Sequence, residues 1–88
     1  MPDTIEKCRK EIDEIDMQLA GLLNDRIRLC LLIGEEKKKL GIKVKDADRE
    51  SKIVERLMDA YPEVSELTES IYAVIFKYSR ELQEKNNE

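Results

Sequence analysis

The chain has 88 residues, of which 41% are hydrophobic and 41% charged, with a formal charge of −4 at neutral pH. That length holds one domain, residues 1–88, with no room for a second core. The acidic balance speaks against a nucleic-acid partner, which would need a basic face. One Phe, three Tyr, no Trp and two Pro disfavour an all-β design and suit a helical protein with a charged surface.

Histidine is absent, which removes the commonest general base and the commonest metal ligand. Cys8 and Cys30 lack CxxC spacing and fall on or beside an apolar stripe, so buried reduced thiols are expected rather than a disulfide. Glu11, Asp13, Glu14 and Asp16 could hold a divalent cation loosely, but a solvated acidic first half of a helix is the plainer reading, and no metal site is expected. The longest apolar run, Leu29 to Ile33, is far short of a membrane span, and the N-terminus has no signal-peptide pattern. No membrane partner and a cytoplasmic location are therefore expected.

A first helix is predicted over about 4–40, with Asp3 or Thr4 as its cap. Ile5, Cys8, Ile12, Ile15, Leu19, Leu22, Leu29, Ile33 and Leu40 recur in threes and fours, the stripe of a helix packed along its length on other helices. Thirty-six residues of helix, Ile5 to Leu40, span about 54 Å. A compact chain of this size is roughly 30 Å across. Either the helix breaks at Gly21 or Gly34, or a second chain covers the overhang. No proline interrupts it and a glycine costs only about 1 kcal/mol, so an unbroken helix in an intertwined homodimer is expected.

Two cations lie on the same side as this stripe. Arg26 stands where another Leu or Ile is due, and Lys37 follows eleven residues later, differing in azimuth by only ~20° and lying ~16 Å along the axis. Lys37, with Lys38 and Lys39, also suits the negative end of the helix dipole ahead of Gly41, itself suited to a left-handed C′ position. Arg26 could lay its stem on apolar neighbours and reach a carboxylate with its head. Structural and functional readings of both cations stay open at this point.

After a connector over Ile42 to Lys45, Asp46 is the expected cap of a second helix over about 47–60, burying Ile53, Val54, Leu57 and Met58. Arg49 in its first turn opposes the helix dipole. It either meets an anion or pairs with Asp46 or Asp48. Tyr61-Pro62 ends this helix. A third helix is predicted over about 64–85, with Leu67, Ile71, Val74, Ile75, Tyr78 and Leu82 inward. Ser79 and Gln83, four apart, are expected at the edge of that face.

Taken together, Arg9-Lys10-Glu11-Ile12-Asp13-Glu14-Ile15-Asp16, Asn24-Asp25-Arg26, Ile33-Gly34-Glu35-Glu36-Lys37, Asp46-Ala47-Asp48-Arg49-Glu50 and Ser79-x-x-x-Gln83 form an ordered series. The series closely resembles the all-helical, type II class of chorismate mutases over nearly the whole chain. The resemblance implies an all-α fold of three helices, one long and two shorter, in an intertwined homodimer. It implies the Claisen rearrangement of chorismate to prephenate on the route to phenylalanine and tyrosine, an intramolecular shift needing no cofactor, metal or nucleophile.

Carried over by position, the resemblance implies that Lys37 and Gln83 donate to the ether oxygen. Arg26, together with Arg9 from the other chain, clamps the substrate's carboxylates. Arg49 orders the site's charges, Glu50 accepts from the ring hydroxyl aided by backbone groups near Asp46, and Ser79 sits against a carboxylate. Arg9 and Arg26, 17 residues apart, are about 25 Å apart along one helix, too far for a small dianion to span, whereas an antiparallel partner helix can bring its own Arg9 beside Arg26. The alternatives are an isochorismate-pyruvate lyase of the same fold, a non-enzymatic helical dimerisation module, and an anion or nucleic-acid binder using Lys37 to Lys45.

Overall fold

A single helix, α1 (Asp3–Leu40), runs the full length of the molecule without a break at Gly21 or Gly34. The computed structural model describes residues 3–86, which contain two further helices, α2 (Ala47–Ala60) and α3 (Ser65–Asn86), and no strand. Asp3 and Thr4 both stand inside α1, so neither is its cap, and the position before the helix lies outside the described residues.

The helix ends follow from local chemistry. At the C-terminus of α1, Gly41 takes φ +68°, and the amides of Gly41 and Ile42 donate to the carbonyls of Lys38 and Lys37. This is a Schellman closure, in which glycine adopts the left-handed geometry at no Cβ cost. The Asp46 carboxylate caps α2 by accepting from the Arg49 amide at 3.1 Å. Tyr61 closes α2 with non-helical φ and ψ before Pro62, and Pro62–Val64 form one 3-10 turn into α3. The Ser65 hydroxyl donates back to the Pro62 carbonyl at 2.8 Å.

Helix α3 packs against both α1 and α2, whose backbones do not come close to each other. Its contact with α1 covers only the second half of that helix. From Asp3 to Asp25 every residue of α1 is exposed, including Ile5, Ile12, Ile15, Leu19 and Leu22 of the apolar stripe. Cys8 is exposed with them, contrary to the buried thiol expected from its place on the stripe, because none of the other described elements packs against that end. The radius of gyration is 16.6 Å and the long dimension 60 Å, against about 12 Å for a compact chain of this length.

The face that α3 turns inward is rotated from the expected one, of which Ile75 and Leu82 are half-buried. Leu67, Ile71, Val74 and Tyr78 are exposed, whereas Phe76, Ser79 and Gln83 are buried against α1. These three recur at helical spacing and form one narrow face. Ser79 and Gln83 are thus at the centre of the α1–α3 contact, not at its edge. Periodicity reported the most apolar side of α3, but the side docked within this chain carries the polar groups. On α2 the expected Ile53, Val54, Leu57 and Met58 are half-buried.

Candidate active site

Where the three helices meet, a cavity of about 230 Å³ is lined by seven of the residues singled out in the sequence: Arg26, Lys37, Asp46, Arg49, Glu50, Ser79 and Gln83. They come from all three helices and from the cap of α2. Arg9 is not among them. It lies in the exposed first half of α1, far along the helix from Arg26.

Each side chain is held by a specific contact. The Arg26 guanidinium lies over the rings of Tyr72 and Phe76, 5.7 and 5.6 Å from their centroids, where the π-faces attract the cation. Its Nη1 donates to Cys30 Sγ at 3.4 Å. Lys37 Nζ donates to the Val44 carbonyl at 2.8 Å, which draws it from the end of α1 towards the connector and leaves two of its three protons free. Gln83 Nε2 donates to the Cys30 carbonyl of α1. A carbonyl only accepts, so this contact decides which end of the amide is nitrogen. One Nε2 proton remains unused.

Close approach of α3 to α1 depends on Gly34. A Cβ there would stand 2.8 Å from Gln83 Cγ and 3.2 Å from its Cβ, closer than carbon atoms pack. Gly34 is itself buried. The sequence offered it as a possible break in the helix and as part of the step leading to Lys37, with no role in packing. Its role in admitting Gln83 emerges from the packing.

The electrostatics of the cavity are lopsided. Among the described residues, Arg26, Lys37 and Arg49 have no carboxylate within 4 Å, and the two ion pairs present are Arg28–Asp25 and Arg80–Glu50. Arg26 therefore rests on rings and a thiol, not on a carboxylate as its structural reading required, and Arg49 pairs with neither Asp46 nor Asp48. Four cations (Arg26, Lys37, Arg49, Arg80) and two anions (Asp46, Glu50) line the cavity, an excess of two positive charges. Ser79 Oγ is buried there with no hydrogen-bond partner among the described residues. Unpaired buried polar groups are costly, and together these features describe a receptacle for a small dianion.

Arg80 went unnoticed in the sequence. Nothing local links it to Glu50, 30 residues away. An arginine at the position after Ser79 reads as surface until the azimuth of α3 is known.

Residues 8–84 match the family model described as chorismate mutase type II. The chain belongs to the type II chorismate mutase family. Membership of this family makes it an enzyme of the isomerase kind. Along 97% of its length the chain is 31% identical to a chorismate mutase of Methanocaldococcus jannaschii, covering 89% of that protein. Over 70% of its length it is 37% identical to a bifunctional chorismate mutase/prephenate dehydratase of Aquifex aeolicus, of which it spans only 17%. No solved structure matches significantly. In this family member no helix among the described residues is long and apolar enough to cross a membrane.

Proposed function

We propose that the chain converts chorismate to prephenate, on the route to phenylalanine and tyrosine, as an intertwined homodimer. The observation that carries this reading is the pair of uncompensated positive charges around a buried, partnerless Ser79 hydroxyl. A substrate with two carboxylates supplies the missing negative charge.

The rearrangement is intramolecular: one C–O bond breaks as one C–C bond forms, with no proton or group passing to the protein. Catalysis then consists of holding the folded, chair-like conformer and stabilising the negative charge that grows on the ether oxygen. Lys37, with two free ammonium protons, and Gln83, with one free amide proton, donate to that oxygen. Arg26 grips one carboxylate, Ser79 supplies its hydroxyl to a carboxylate, and Arg49 contributes positive potential. Glu50, beside the Asp46 cap, accepts from the ring hydroxyl. Arg9 of the partner subunit completes the clamp.

The dimer is supported by the exposed stripe from Ile5 to Leu22. Contiguous apolar faces of that length are characteristic of interaction surfaces, and an antiparallel copy of α1 presents both the matching stripe and its own Arg9. Sedimentation equilibrium is expected to give twice the chain mass of 10.3 kDa, and chorismate consumption is followed by its ultraviolet absorbance. A monomer, or no chorismate turnover by a dimer, overturns the reading. Isochorismate offered in the same assay, with pyruvate measured, tests the lyase.

A further inference from the structure

Arg80 is the one cation of the cavity that the roles above leave unused, and of the four cavity cations it is the one that pairs with a carboxylate among the described residues. Its Nη1 donates to Glu50 Oε2, tying α3 to the first turn of α2. The two side chains are only 25% and 22% exposed, so this charge-assisted bond is better shielded than a surface pair.

The pair occupies a dividing position. Arg80, Glu50 and Phe76 line the 230 Å³ cavity and also a more open groove of about 500 Å³ between α2 and α3. Glu50 has three rotatable side-chain bonds. Released from Arg80, its carboxylate can turn into that groove and be solvated there. Held by Arg80 through Oε2, it keeps Oε1 free of any partner among the described residues, with the whole carboxylate on the partition between the two spaces. The bond also cancels one charge of each sign, which leaves the excess of two on Arg26, Lys37 and Arg49 against Asp46.

We propose that Arg80 is a positioning residue: it holds the Glu50 carboxylate at the cavity wall so that Oε1 accepts the substrate's ring hydroxyl. The inference rests on the function proposed above. It assigns Arg80 no contact with substrate.

The test is a double-mutant cycle in the full-length chain, read as kcat/KM for chorismate and for an analogue lacking the ring hydroxyl. Arg80→Met is expected to lose about tenfold on chorismate, short of the roughly 100-fold that a 1 Å misplacement can cost. In a Glu50→Gln background the same change should cost no more than about twofold, the scatter of independent sites. The analogue should be turned over equally with or without Arg80, again within about twofold, and Arg80→Lys should restore most of the loss. Should Arg80→Met fail to fold, Arg80→Gln, which keeps a polar end, takes its place in the cycle.

A tenfold loss that persists in the Glu50→Gln background, or with the analogue, means that Arg80 touches substrate itself and overturns the inference. So does a lowered melting temperature with unchanged kcat/KM, which would make the pair a structural tie. An active parent with either result leaves the functional reading standing. An inactive parent overturns both.

Discussion

Gly34 and Gln83 meet across the α1–α3 contact so closely that a single methyl group on Gly34 would fall 2.8 Å from Gln83 Cγ. The atoms it would strike are at the root of the glutamine, so relief requires moving the donor or the helix. Gly34→Ala gains about 1 kcal/mol in helix propensity and loses about 1–3 kcal/mol through overpacking. The net is a loss of about 0–2 kcal/mol in stability, and the amide is displaced. Chorismate turnover is expected to fall by about tenfold or more while the melting temperature falls by at most roughly 15 °C and the fold is retained. Undiminished activity would show that Gln83 tolerates displacement and is no donor.

Gln83 is neutral, so its donor is present at every ordinary pH. Replacing it by Glu makes donation conditional on protonation, because an ionised carboxylate only accepts. Activity of Gln83→Glu should be greatest at acid pH and be lost as pH rises through the new carboxyl's titration. A pH–rate profile parallel to that of the parent up to pH 8 counts against the assigned role.

Lys37 supplies the charged donor. Lys37→Met keeps the stem, and Lys38 and Lys39 remain to serve the dipole at the end of α1. Turnover should fall by about 100- to 1000-fold with the fold retained by circular dichroism. A loss below tenfold would return Lys37 to its structural reading as a helix-end cation.

Arg9 and Arg26 are expected to act in one site from two chains. Arg9→Ala and Arg26→Ala homodimers should each be nearly inactive. Unfolded together and refolded, they should regain activity, since one site of the mixed dimer then keeps both arginines. Mixed dimers verified by mass but still inactive would show that the two arginines do not complement across the interface.

Much of the scaffold was legible in the chain because helix ends are decided by groups a few residues apart. Gly41 closes α1 and Asp46 caps α2 as the local chemistry requires, and Ile53, Val54, Leu57 and Met58 mark the inward side of α2. The ~20° azimuth between Arg26 and Lys37 was enough to aim both into one cavity. The inward face of α3 was read only in part: Ile75 and Leu82 are half-buried, but the face centres on Phe76, Ser79 and Gln83. Leu67, Ile71, Val74 and Tyr78 are left exposed in the single chain, and the polar pair expected at the edge is docked.

The sequence by itself determined the three helices, where they stop, and which charged and polar residues to look for. Those depend on hydrogen bonds and side-chain spacing within a turn or two. Only the tertiary structure decided that Ser79 is buried without a partner, that Gly34 admits Gln83, and that Arg80 holds Glu50. Each of these depends on the angle at which α3 docks, and that angle is set by the packing of residues 30 or more positions apart, which no local pattern encodes.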